Sequence, residues 1–137
     1  MRLKKDFILK IRFLVIAIVI TFFIKLLIRF FSLHSLMLKV KKCATFLLSK
    51  NNPTQPINRI NAWYKSLNRF LKIKSCFVNS FIKKLIFSSF GHDLVIVCGV
   101  KLNKKSKIEG HAWLCHEGRA VFENDENLRG YTESFRL

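Results

Sequence analysis

Two side chains in the C-terminal half of the chain have the chemistry and the setting for acyl transfer. Ser75-Cys76 stands where an amphipathic helix begins, and His111-Ala112-Trp113 opens a strand just after Gly110. A thiol in the first turn of a helix meets unpaired N–H groups and the positive end of the helix dipole, which favour the thiolate. Lys72 and Lys74, just before it, add positive charge. An imidazole within reach of such a sulfur can take its proton, and an acid behind the ring can hold it in place. An acidic cluster of Glu123, Asp125 and Glu126 follows.

Each of these residues also has a plainer use. A free cysteine is usually a small buried apolar residue, a lone histidine is usually structural, and a run of acids is usually a solvated loop. Position separates the candidates. Cys43 lies in a Lys-rich amphipathic segment, Cys98 in the middle of an apolar strand and Cys115 at a strand end beside a turn, so these three read as packing residues. His34 falls in the N-terminal helical part, His92 follows a helix-ending glycine and His116 sits in a turn, which leaves His111. A hairpin after His111 brings the chain back beside it. Register or a bulge then decides whether Glu123 or Asp125 faces the ring.

The elements that must position these groups are legible from periodicity. Ile60, Trp63, Leu67 and Leu71 recur at helical spacing through Arg59–Lys72. A second helix spans Cys76–Phe90, with Phe77, Phe81, Leu85 and Val78, Ile82, Ile86 as adjacent apolar stripes and Lys83 and Lys84 outside them. Ser75 can cap its start and Gly91 its end. Leu94–Val100 is a β-branched run of strand length, and His111–Cys115 with Arg119–Phe122 forms a hairpin around Glu117-Gly118. The order helix, helix, strand, strand, strand predicts an α+β fold.

At 137 residues the chain has room for one compact domain with an appendage. Residues 51–58 hold both prolines and several turn formers, and divide an apolar, basic helical region (1–50) from the α+β domain (59–137). The net charge of +17 is unevenly spread: residues 106–137 hold four of the 25 Lys and Arg but six of the eight acids. The basic excess thus belongs to the N-terminal part. A nucleic-acid-binding module would interleave basic residues with exposed aromatics, whereas these aromatics fall mostly on apolar stripes, so no nucleic-acid partner is expected. Four cysteines without a CxxC pair or zinc-type spacing predict no structural metal, and without a convincing secretory signal reduced thiols are expected.

Phe13–Ile24 is an uncharged run of twelve residues between Arg12 and Lys25. A spanning helix wants roughly 20 apolar residues. If Lys25 and Arg29 snorkel, the run extends through Phe31 and a single tilted span fits. Basic residues flank both ends, so the positive-inside rule sets no orientation. The segment reads first as a helix lying in or against a membrane surface, with a buried helix of the fold, or a signal or anchor, as alternatives.

The stretch from Ser75-Cys76 through Leu94-Val95-Ile96 and Gly99-Val100 to His111-Ala112-Trp113-Leu114 and Glu117-Gly118-Arg119 resembles the transglutaminase-like cysteine peptidases of lasso peptide gene clusters. These are the leader peptidases that mature microcin-type precursors. In that family a Cys starts a helix, a Leu-Val-Ile-Gly-Val-type strand follows, and a His-Ala-Trp-Val-Glu strand leads through a glycine turn to an acid. The resemblance covers roughly residues 57–127, and the apolar N-terminal helices are similar to those of stand-alone members. Three features depart from the pattern: a longer, more basic loop at 101–110, Cys115 where the family often has Glu, and the position of the acid. Ungapped counting places the acid at Glu123, and one inserted residue places it at Asp125, after Asn124 as in the family.

The resemblance implies a transglutaminase/papain-like core preceded by apolar helices, and a Cys76–His111–acid endopeptidase that removes the leader from a lasso precursor. It implies no cofactor on this chain, with ATP consumed elsewhere in the maturation complex. The implied partners are the precursor leader, a small leader-recognition protein and an asparagine-synthetase-like cyclase. The expected location is the bacterial cytoplasm, against the inner face of the membrane. The contrasting expectation is a membrane-associated transglutaminase-like scaffold without catalysis.

Overall fold

The structure is a computed structural model that describes residues 2–137, the side chains of Arg2, Leu3 and Lys5 excepted. Its elements run α1 (Arg2–Phe30), α2 (Leu33–Lys50), α3 (Ile57–Leu71), α4 (Cys76–Ser89), β1 (Val95–Leu102), β2 (Ile108–His116), β3 (Arg119–Val121), α5 (Asp125–Leu128) and β4 (Thr132–Arg136). The fold is α+β, as the sequence predicts.

α1 contains neither glycine nor proline, and its buried apolar residues Phe13, Ala17, Ile20, Ile24 and Leu27 alternate spacings of four and three. That spacing makes one continuous seam along a helix. The seam packs on α4, while Ile11, Leu14, Val15, Ile18, Val19 and Phe22 on other faces stay exposed. The helix is therefore part of the core on one side and apolar on the other. At its N-terminal end Asp6 pairs with Arg59 of α3 at 2.8 Å, and Phe13 meets Trp63 with ring centroids 5.4 Å apart. Ser32 caps α2, which buries Leu36, Val40 and Ala44 against α4.

α3 shows a shifted stripe. Ile60 is buried as expected, but Tyr64 is its buried partner, and Trp63 and Leu67 are only half-buried. Trp63 turns toward α1 instead, and Tyr64 gains a polar partner because its hydroxyl donates to Asn79 Oδ1 on α4.

α4 lies between the helical layer and the sheet, so burial extends almost around its second half. This corrects the expectation that Lys83 and Lys84 lie outside. Lys84 is 5% exposed and its ammonium donates to the Leu94 carbonyl, with Asp93 at 3.8 Å. Lys83 is half-buried. A helix covered on two flanks has no wide solvated face, and the long lysine stems run along apolar surface to reach polar partners.

The sheet is antiparallel, in the order β3-β2-β1-β4. Side chains alternate between faces. Ile96, Cys98, Ala112 and Leu114 join the main core with α4, whereas Val97, Trp113 and Cys115 form a second cluster under Leu128 and Tyr131. β2 and β3 meet through Glu117 (φ 49) and Gly118 (φ 79), the two left-handed residues of a tight hairpin. The expected loop at 101–110 is mostly strand. Lys101 pairs with Glu109 and Leu102 with Ile108, and a short turn remains in which Asn103 Oδ1 accepts the N–H groups of Lys105 and Lys107.

Candidate active site

Ser75 stands in extended conformation before α4, and its Oγ accepts the Val78 N–H at 3.4 Å. Its capping starts the helix at Cys76, with no acid in the first turn to neutralise the dipole. Cys76 is half-buried and borders a cavity of about 180 Å³ between the start of α4 and the β2–β3 edge. His111 and Glu123 border the same cavity. Of the four residues that the sequence singles out, Cys76, His111 and Glu123 therefore line one cavity.

His111 is held on three sides. Its Nε2 lies 2.8 Å from Glu123 Oε2. Trp113, two residues on and so on the same strand face, stacks at 6.1 Å between centroids and 22° between planes, and Tyr131 leans in at 5.4 Å. Trp113 fits because Gly99, which pairs with His111 in the β1–β2 register, has no side chain: a Cβ there would stand 2.8 Å from Trp113 Cη2 and 2.9 Å from the Thr132 carbonyl. With Nε2 on Glu123, Nδ1 is the ring nitrogen left for the cavity.

Glu123 reaches the ring through a turn of backbone at Phe122, whose φ of 71 lies in the left-handed region that bulky residues rarely adopt. The Phe122 side chain packs on Phe87 at 5.1 Å, which secures this conformation. Asp125 opens α5 in an exposed position and is not among the residues lining the cavity.

Sequence reasoning missed further groups at the cavity. Asn79, Ser80 and Lys83 follow Cys76 at spacings of three, four and seven, one polar stripe that helical periodicity could have revealed. Asn79 is oriented by Tyr64, whose hydroxyl stays protonated because burial raises its pKa. With Oδ1 occupied, the Asn79 amide N–H groups are its remaining polar function. Lys83 has its pKa lowered by burial, against the opposing pull of the Glu123 charge and together with repulsion from Lys65. The other thiols of the domain differ in setting: burial pushes Cys98 up to about 11 and also raises Cys115, and neither lines the cavity.

A thiol at the start of a packed helix thus shares a cavity with an imidazole–carboxylate pair carried by an antiparallel sheet and the segment after it. The family model described as Transglutaminase-like superfamily matches residues 18–136, and the chain belongs to that superfamily, which includes cysteine peptidases. The match begins inside α1 and extends into β4. No curated protein and no solved structure matches the chain.

Proposed function

We propose that this chain is a cysteine endopeptidase that removes the leader from a lasso peptide precursor. The observation that supports it most is the shared cavity of Cys76, His111 and Glu123, with the 2.8 Å contact between the last two. In this reading the Cys76 sulfur gives its proton to His111 Nδ1 and attacks the carbonyl carbon at the leader–core junction. The Cys76 backbone N–H at the helix start donates to the developing oxyanion. Collapse of the tetrahedral species breaks the C–N bond, the amine leaves with the proton from His111, and water hydrolyses the thioester. Glu123 keeps the imidazole oriented throughout. The leader-recognition protein and the ATP-consuming, asparagine-synthetase-like cyclase remain its proposed partners.

We also propose that α1 holds the enzyme against the cytoplasmic face of a bacterial membrane. An 18-residue window within Asp6–Phe30 reaches a mean hydropathy of 2.7, and the apolar face turned away from α4, with lysines and arginines at both ends, suits an anionic bilayer surface. The same face supports the alternative of a non-catalytic membrane scaffold.

Mass analysis of a precursor peptide incubated with the chain separates the two. Cleavage is expected with the wild type and with Cys115→Ala, and none with Cys76→Ala or His111→Ala. Loss in the Cys115 variant alone would show that Cys76 is the wrong thiol, and intact peptide throughout would favour the scaffold.

A further inference from the structure

The cavity holding Cys76, His111 and Glu123 carries another charged group, the Lys83 ammonium, to which acyl transfer gives no task. Lys83 lies on the same face of α4 as Cys76, two turns further on. Aromatic rings fix it: Nζ stands 5.3 Å from the centroid of Tyr64 and 5.1 Å from that of Phe122. Such rings offset part of the charge but leave the three N–H donors of an ammonium largely unused. Among the described residues no carboxylate pairs with Lys83, and Glu123, the acid lining the cavity, is engaged by His111. Lys74 adds a second cation at the exposed rim. Lys83 therefore lines the space that a substrate would fill, with no salt-bridge partner among the described residues.

We propose that Lys83 anchors a carboxylate of the acyl substrate, so that the site selects peptides bearing an acidic group close to the scissile carbonyl. This rests on Cys76 being the nucleophile. The carboxylate can belong to an Asp or Glu side chain or to a chain terminus, since both present the same two oxygens to Nζ.

Iodoacetate and iodoacetamide test the anchor without any peptide. In both reactions the Cys76 sulfur attacks the methylene carbon and iodide leaves, and the reagents differ in carrying a carboxylate or a neutral amide. The rate ratio of iodoacetate to iodoacetamide at Cys76, followed by mass, is expected to exceed that of free cysteine by roughly 5- to 10-fold at low salt. Lys83→Gln should bring the ratio close to the free thiol, Lys83→Arg should keep most of the excess, and Lys105→Gln in the β1–β2 turn should leave it unchanged. An unaltered ratio in folded Lys83→Gln overturns the proposal. If that variant does not fold, the wild-type ratio decides, and a value at or below that of free cysteine overturns it.

Two pairs of precursor peptides then identify the source of the carboxylate: Glu against Gln beside the cleaved bond, and a free against an amidated C-terminus. The source is the pair whose acidic member the wild type prefers and Lys83→Gln does not. Iodoacetate selectivity without cleavage of any peptide would sink the peptidase reading and leave the carboxylate site standing. Cleavage without selectivity would do the reverse.

Discussion

His111 Nε2 and Glu123 Oε2 meet at 2.8 Å, with the β2–β3 hairpin and the left-handed Phe122 bringing the acid back to the ring. A carboxylate on Nε2 fixes which nitrogen faces the nucleophile, and its removal leaves the ring free to rotate or change tautomer. Glu123→Gln is therefore expected to lower kcat/KM for precursor cleavage by on the order of 10²- to 10⁴-fold. Asp125→Asn, at an exposed position, should stay within about two-fold. Steady-state cleavage assays of the two variants check this, and the opposite ranking would move the acid to Asp125.

Gly99 links sheet packing to the imidazole. An added methyl would press on the Trp113 ring at 2.8 Å and on the Thr132 carbonyl at 2.9 Å, and Trp113 carries the stack on His111. Gly99→Ala should thus destabilise the fold by about 1–3 kcal/mol through overpacking. It should also reduce cleavage beyond what the unfolded fraction explains. Urea denaturation alongside kcat/KM separates these effects, and full activity per folded molecule would show that Trp113 does not position the ring.

Lys84 makes a pH-dependent contribution. Burial lowers its pKa from the ordinary 10.5, with Asp93 opposing the shift and Lys41 adding to it. The unfolded chain therefore holds this proton more tightly than the folded one. Burying the charge costs stability at neutral pH, and the cost fades as pH rises through the lowered pKa toward 10.5. The wild type should gain stability relative to Lys84→Met between pH 7 and pH 10, as measured by urea midpoints at both ends. A gap that stays constant would show that the ammonium titrates in its ordinary range.

The sequence revealed most where a local signal carries its own geometry. Ser75 before an apolar run marks the start of α4, Glu117-Gly118 marks a two-residue turn, and the segments on either side of that turn mark β2 and β3. These place Cys76 and His111 without knowledge of the tertiary fold. What sequence periodicity could not supply was the number of neighbours around each element. α4 is flanked on two sides, so Lys83 and Lys84 are drawn inward although their residue type suggests solvent. The basic residues at 101–107 likewise hid strand continuation, because edge-exposed positions of a hairpin tolerate charge as readily as a loop does. β4 gives almost no apolar signal because every one of its residues is exposed, and its pairing with β1 through backbone hydrogen bonds leaves no pattern in side-chain type.

The seam of α1 backs the helix on which the Cys76 thiol is mounted. With α1 and α2 against one flank of α4 and the sheet against the other, the segment bearing Cys76 is the tip of a rod clamped along its length. Anything that grips α1 from outside is separated from that rod by a single layer of side chains, so anchorage and alignment of the sulfur share one lever.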